Sequence, residues 1–318
     1  MMSNPKVSVL VTVYNLAAYL RETLDCVLAQ DYEPLEIVVA DDGSTDGSQE
    51  ILSEYAANYP DKIKALIGNE NRGVSVNSNR AFTFCTGELI SILDGDDIVL
   101  PGKISKQVEM FVKDPEIVLC YHPSEIFESG TNKTLYITNQ TPRENTNTAE
   151  QIILTGGIAH TSSVMVRRSA CPEIGFDERL RDTQDWVFFI EVALKGKIAK
   201  VDQILCRYRK HGLGLSDRTL ELLEQSLRAL DIVLENHPTR KDLFEICQKG
   251  KARYIAGEAF RQLSKNISIA KRLAQQAVDL DPKNRRYNLL LIYSSCSTLA
   301  GLLRPIIGRF KYLLKKYG

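Results

Sequence analysis

The sequence predicts an α/β fold, a sheet with helices on its faces, followed by an all-helical C-terminal region. Three observations carry that reading. Through the first hundred residues, short β-branched apolar runs alternate with runs of 3.6-residue period. From 101 to 215 the same two signals recur less regularly, and from Thr219 onward every apolar repeat is helical. A chain of 318 residues accommodates two domains at about 150 residues each.

Residues 6–13 (KVSVLVTV) are almost continuously apolar and β-branched, the pattern of a strand buried on both faces. Leu20, Leu24, Val27 and Leu28 then repeat at helical spacing within 17–30. Strands at 35–40, 63–68 and 88–93 alternate with helices at 48–59 and 74–84, a pace that implies right-handed βαβ units around a parallel sheet. Pro101 can open a helix reaching 112, because the missing N–H of proline is harmless in a first turn. Strands follow at 118–122, 134–138 and 162–167, then a helix at 185–195, and strands at 198–201 and 204–208 close the unit. The Thr-, Asn- and Pro-rich stretch 138–148 reads as a loop at its mouth.

In the C-terminal region Leu220, Leu223, Leu227, Leu230 and Leu234 keep helical spacing until His237 and Pro238. Ala270, Ala274, Ala277 and Pro282 match the second helix of a tetratricopeptide repeat, but one repeat cannot bury its own face. A helical hairpin packed on the main domain is the expectation. The domains expected are therefore 1–215, with halves 1–100 and 101–215, and a helical region 216–318.

Forty basic and forty acidic residues cancel, which argues against a basic nucleic-acid binder. The balance is uneven: the last 36 residues carry +8 and the rest −8. Seven cysteines are scattered without a C-x-x-C pair, so neither a zinc ribbon nor a disulfide framework is indicated and a reducing cytoplasm is expected. The start MMSNPKVSVL lacks the pattern of a signal peptide, and no stretch reaches 18 uninterrupted apolar residues.

Acids gather at the predicted strand ends, where a parallel α/β sheet binds its ligands. Thr12, Tyr14 and Asn15 end the first strand, Asp41 and Asp42 follow the second, and Asp94, Asp96 and Asp97 follow the fourth. Asp-Gly-Ser and Gly-Asp-Asp are also turn and capping sequences, but five carboxylates on one edge repel one another unless a cation or a donor-rich ligand lies among them. The Asp-x-Asp spacing suits one Mg2+ or Mn2+ whose other ligands are phosphate oxygens and water.

VSVLVTVYN, EIVVADDGSTDGS, NRGVSVNSNRAF and GELISILDGDDIVLPGKI, in that order, resemble the successive motifs of glycosyltransferase family 2 over residues 6–211. That resemblance implies the GT-A fold, a Rossmann-like mixed sheet flanked by helices, and an inverting transfer from a sugar nucleotide. It places Thr12, Tyr14, Asp41 and Asp42 on the nucleoside, with Asp42 accepting a hydrogen bond from the base. It places Asp94 at the ribose and the metal, and Asp96 on the metal. In the third motif Ser78 stands at the usual arginine position, leaving Arg72 or Arg80 to reach the nucleotide. RDTQDWVFFIEVALKG resembles the E-D-W segment, with Gln184 for the usual Glu, which makes Asp185 the general base. Trp186 then either stacks on a sugar or packs. CRYRKHGLGLS resembles the C-terminal Y-R-x-H element, with Ser216 further downstream than usual. There His211 completes the metal ligands and Arg207 or Arg209 faces the phosphates. His160 is marked only by its place beside the acceptor region.

A dinucleotide-binding G-x-G-x-x-G and a P-loop are both absent after the first strand. A nucleotidyltransferase on a similar fold, or an adaptor acting through the helical tail, are the rival readings. The partners expected are a sugar nucleotide, UDP-linked by family leaning, and a glycan or lipid-linked acceptor. Leu302, Ile306, Ile307, Phe310, Leu313 and Leu314 share one face interleaved with Arg304, Arg309, Lys311, Lys315 and Lys316. That pattern suits either a solvated terminal helix packed on its neighbour or peripheral contact with an anionic inner membrane face.

Overall fold

The computed structural model describes residues 4–138, 148–156, 160–180, 183–211 and 219–295. The chain divides into two compact units, Met1–Asp217 and Arg218–Gly318. In the first, β1 (Val7–Val13), α1 (Ala17–Leu28), β2 (Leu35–Asp41), α2 (Ser48–Asn58), β3 (Ile63–Leu66), α3 (Val74–Phe84) and β4 (Leu89–Asp94) alternate as the periodicity requires. There follow β5 (Ile98–Val99), α4 (Lys103–Lys113), β6 (Ile117–Tyr121), β7 (Ser124–Glu128), β8 (Thr134–Ile137) and α5 (Ala149–Thr155). A 3-10 turn (Thr161–Ser163), β9 (Met165–Arg167), α6 (Gln184–Ala193), β10 (Lys197–Lys200) and β11 (Cys206–Lys210) complete the unit as described.

The main sheet has the order β10-β6-β9-β4-β1-β2-β3. All its pairings are parallel except those of β9, which runs antiparallel to β4 and β6. The two halves of the unit therefore share one mixed sheet, the GT-A arrangement with a helical region after it. A second sheet, β5-β11-β7-β8, lies apart from it in pairing. β1 is buried almost throughout, with Val9 and Val11 in one core layer beside Leu20, Leu24, Ile37, Val39, Leu89 and Leu93. Each such side chain contributes roughly 1.5–3 kcal/mol on burial. The register matters for function. Thr12 pairs with Ala40 on one side and Asp94 on the other, and Val13 pairs with Asp41, so the acid-bearing strand ends are level.

Several boundaries differ from the sequence reading, each for a local reason. The strand expected at 162–167 begins only at Met165, because Ser163 Oγ bonds the carbonyl of His160 and winds 161–163 into the 3-10 turn. The helix expected from Pro101 starts at Lys103, after Gly102 turns the chain at φ +79°. The strand expected at 204–208 is Cys206–Lys210, and it joins the second sheet rather than pairing with β10. The short strands β5 and β7 and the helix α5 gave no periodic signal. α5 is set by Thr148, whose Oγ1 caps the amide of Gln151. The loop residues 139–147 lie outside the described residues.

The second unit contains α7 (Thr219–Asn236), α8 (Lys241–Gln262), α9 (Ile267–Leu280) and α10 (Arg285–Ser295) among its described residues, each packed on the next. The expected hairpin is thus α8 and α9, with a further helix on either side in sequence. Ala256, Ala259, Ala270, Ala274 and Ala277 let the backbones approach around Ile255 and Leu273. Asn266 caps α9 through the amide of Ile269. Cys296, Ser216 and the basic segment 302–316 lie outside the described residues. The cysteines that are described are all free, and burial pushes the Cys26, Cys85, Cys120 and Cys171 thiols up to about 12, which keeps them inert.

Lys103 is wholly buried, its ammonium donating to Ser91 Oγ at 2.6 Å. Burial lowers its pKa from 10.5 to about 8, opposed in part by the neighbouring Cys206, Cys120 and Cys26. Between those two values the unfolded chain holds more protons than the folded one, so this group adds stability as pH rises and removes it as pH falls towards 8. Lys103→Met should flatten that response. Denaturant titrations are expected to show the wild type gaining on the variant by roughly 2 kcal/mol between about pH 7.5 and 10, at about 1.4 kcal/mol per unit. Parallel pH profiles would show that Lys103 carries no such linkage.

Candidate active site

The polar residues of the first two motifs are spent largely on each other. Asn15, at φ +54°, donates its amide to Ser44 Oγ (2.8 Å) and accepts the amide of Thr45 on its own side chain (2.9 Å). Leu16 N donates to Ser48 Oγ and Ala17 N to Asp46 Oδ2, both at 2.9 Å, so the second loop caps the helix that follows the first. Asp41, fully buried, accepts Gly43 N, Ser44 N and Gln49 Nε2 on Oδ2, while its Oδ1 is buried with no hydrogen-bond partner. Gly43 is required here. At φ +73° a Cβ would lie 2.5 Å from the Glu70 backbone. Asp42, also buried, accepts the amides of Arg72 and Gly73 at 2.9 Å, one on each oxygen. A carboxylate has about four lone-pair sites, so a base can still be accepted there. Thr12, next to last in β1, is half-buried, and Tyr14 just beyond the strand is 46% exposed.

The third motif resolves the choice between its arginines. Arg80 donates to the carbonyls of Asp41, Leu66 and Ile67, and Asn77 donates to that of Ala40, so this helix stitches the ends of β2 and β3. Arg80 is thereby committed to the scaffold. Ser78 is buried, and Arg72 is exposed beside Asp42.

The acids after β4 have divergent surroundings. Asp97 is fully buried, accepting the amide of Arg209 on Oδ1 (2.9 Å) and the hydroxyl of Ser162 on Oδ2. Burial, then the charges of Asp96 and Asp94, raise its pKa well above the usual range. It is a tie between the β4 loop and β11, not a ligand-facing group. Asp94 is half-buried, and burial, then Asp96 and Asp185, push it up to about 7. Asp96 Oδ2 faces His211 Nε2 at 2.9 Å. The His211 ring stacks on Tyr19, centroids 5.4 Å apart. The expectation that Arg207 or Arg209 faces phosphates is not met. Arg209 is sandwiched between Tyr19 and Phe127, donates to the Asp96 carbonyl and pairs with Glu22, while Arg207 pairs with Glu125 and Asn132.

Asp185 sits in the first turn of α6 rather than at its cap, which is Thr183. Its Oδ2 accepts Thr161 Oγ1 at 2.9 Å, and burial raises its pKa against that bond and the amides of the same turn. The adjacent Ser162 accepts the amide of Asp94 on its Oγ at 3.1 Å, so one turn links the two acids. Trp186 packs: a Cβ on Gly156, which turns at φ +81°, would collide with its indole. The Gln184 side chain is outside what is described. The His160 ring packs tilted by 32° on Tyr208, with centroids 3.6 Å apart, and burial lowers its pKa to about 4. Tyr208 directly precedes Arg209, whose amide bonds Asp97, which brings His160 towards the acid cluster. Sequence reasoning missed Tyr19, Tyr208, Thr161 and Ser162. The run Thr-Ser-Ser was visible, but nothing in its spacing named a partner.

Among the described residues no three His, Cys, Asp or Glu side chains converge as a ready metal cage. The facing pair Asp96 and His211 is an oxygen and nitrogen donor set that suits Mn2+ or Mg2+ as two ligands of a larger shell.

The sequence profile described as "Glycosyl transferase family 2" matches residues 8–175. An uncharacterized glycosyltransferase of Nostoc sp. is 33% identical over 65% of this chain and 65% of its own length. The chain spans 58% of the length of an uncharacterized relative from Mycobacterium tuberculosis, at 32% identity over 64% of this chain. The crystal structure of S. aureus TarS 1-349 in complex with UDP-GlcNAc superposes with TM-score 0.62 at 19% identity, over 95% of this chain and 86% of that one. Mannosyltransferase PcManGT from Pyrobaculum calidifontis, in complex with GDP-Man and Mn2+, does so with TM-score 0.59 at 19% identity, over 95% and 87%. At that identity the two structures speak for the fold alone.

Proposed function

Because the chain belongs to glycosyl transferase family 2, we propose that it moves a sugar from a nucleoside diphosphate donor, UDP-linked, to an acceptor hydroxyl with inversion at the anomeric carbon. The acceptor is a glycan, a lipid-linked saccharide or a protein, in the synthesis of cell-surface polysaccharide or glycoconjugate. The observation that carries the reading is that one turn bonds both Asp185, through Thr161, and the amide of Asp94, through Ser162, while Asp96 nearby in the chain is turned to His211.

The roles follow from the surroundings. Thr12, Tyr14, Asp41 and Asp42 hold the nucleoside, Asp42 through its remaining lone pairs and Asp41 by fixing the loop of Gly43 and Ser44. Arg72 lies exposed at the same edge for the phosphates. Asp96 and His211, with Asp94 beside them, would hold a divalent ion, and such an ion neutralises the diphosphate as it leaves. Asp185 takes the proton of the acceptor hydroxyl as that oxygen bonds the anomeric carbon, and the electron pair of the breaking bond leaves with the diphosphate. Its raised pKa brings the base nearer to neutrality, where proton acceptance is effective. The segment 302–316 is proposed to bring this site to an anionic membrane surface. No helix among the described residues is long and apolar enough to cross a membrane.

Asp96→Ala should abolish metal-dependent binding of UDP and nearly all turnover, since such stabilisation amounts to several kcal/mol of barrier (about 3 or more). Calorimetry that finds undiminished Mn2+-dependent UDP affinity would remove Asp96 from the site. Asp185→Asn should leave donor affinity close to wild type while lowering kcat at least about a hundredfold. Normal turnover in that variant, or retained configuration in the product by NMR, would end the single-displacement reading. For the tail, flotation with anionic vesicles is expected to carry the full chain but not one ending at Ala300. Equal behaviour of the two would assign the segment to packing.

A further inference from the structure

The turn Thr161–Ser163 touches Asp94, Asp97 and Asp185. Thr161 Oγ1 donates to Asp185 Oδ2 at 2.9 Å. One residue on, Ser162 Oγ accepts the amide of Asp94 at 3.1 Å and donates to Asp97 Oδ2. Ser162 and Ser163 are fully buried, and the turn is itself anchored. Ser163 Oγ and Ser163 N both donate to the His160 carbonyl, at 2.6 and 2.9 Å, and buried Gln107 donates to the Ser163 carbonyl at 2.9 Å. Directly beyond it, the amide of Ile92 in β4 bonds the carbonyl of Val164 at 3.1 Å. The turn is therefore fastened to the strand that carries Asp94.

We propose that Thr161 is a positioning residue for the base, aiming the Asp185 carboxylate from a turn that is rigidly tied to the strand end bearing Asp94. This rests on the reading of Asp185 as base. α6 alone does not set that aim. Asp185 lies one residue inside the helix, where a carboxylate can swing between the first-turn amides and the site. A hydroxyl on one lone pair of Oδ2 restrains the rotation and leaves acceptor capacity for the incoming proton. It also ties the base to the frame that holds the donor rather than to the helix that carries it. The separation between proton acceptor and leaving group is then set by two hydrogen bonds on adjacent residues, and errors of about 1 Å in such a separation cost up to about a hundredfold in rate.

The test uses the full chain, Mn2+, and whichever of UDP-GlcNAc, UDP-glucose, UDP-galactose and GDP-mannose the wild type turns over, scored by release of nucleoside diphosphate. Thr161→Val keeps the shape and removes the hydroxyl, Thr161→Ser keeps the hydroxyl, and Asp185→Asn serves as reference. The expected result for Thr161→Val is a kcat lowered about tenfold to a hundredfold with donor KM and melting temperature unchanged. Thr161→Ser should recover kcat to within about threefold of wild type, a rescue that tracks the hydroxyl and not the fold. If Thr161→Val does not fold, Thr161→Ala carries the same comparison. Wild-type kcat in Thr161→Val beside an inactive Asp185→Asn would overturn the positioning role and leave the base in place. Equal loss in Val and Ser variants with a lowered melting temperature would overturn it in favour of a packing role. Full activity in Asp185→Asn, or no turnover of any donor by the wild type, would overturn the base reading and this inference with it.

Discussion

Like-charge repulsion among Asp94, Asp96, Asp97 and Asp185 is the constraint around which the first unit is organised. The parallel register of β1 with β2 and β4 levels the strand ends and so concentrates acids at one edge. A buried carboxylate without a partner is costly, and several together more so. Each acid is therefore given its own relief. Asp97 receives a backbone amide and a serine hydroxyl, Asp96 faces an imidazole, and Asp185 receives a threonine hydroxyl. Even so, burial and the neighbouring charges push Asp94 up to about 7 and Asp97 well above the usual carboxylate range. The edge is electrostatically strained towards binding positive charge.

A second pattern is the division of labour inside the motifs. Residues that read as a ligand-binding set in one dimension separate into builders and presenters in three. Asn15, Ser44, Asp46 and Ser48 lace the first two loops together, Asn77 and Arg80 bond the carbonyl ends of β2 and β3, and Arg209 is clamped between Tyr19 and Phe127. Tyr14 and Arg72 are what that framework holds towards solvent, with Asp96 and Asp185 half-buried beside it. Gly43 and Gly156 serve the same end by backbone geometry, one letting a loop lie against the Glu70 backbone and the other letting Trp186 lie flat on the end of α5.

How much of this could be read in advance divides along physical lines. The alternation of βα units, the helical extension and the gathering of acids at strand ends follow from hydrophobic period and the parallel connection rule, which are properties of neighbouring residues and of chain handedness. The choice of Asp185 and His211 came from motif resemblance, and the structure brings both to the acids after β4. Short elements escaped. β5 has two residues, too few for any period, and Ser162 and Ser163, at the start of the strand expected at 162–167, belong to a 3-10 turn.

The sequence by itself determined the layers, the order of the first four strands and the identity of the acidic edge, because a strand or helix declares itself by which of its residues are apolar. Only the tertiary structure decided which acid is a tie and which is open, which arginine serves the scaffold, and that a threonine 24 residues from Asp185 reaches its carboxylate. Those outcomes depend on which donor lies within about 3 Å of which acceptor after folding. Sequence spacing does not encode that distance across a sheet, because residues far apart in the chain become neighbours only through strand register and the path of a loop.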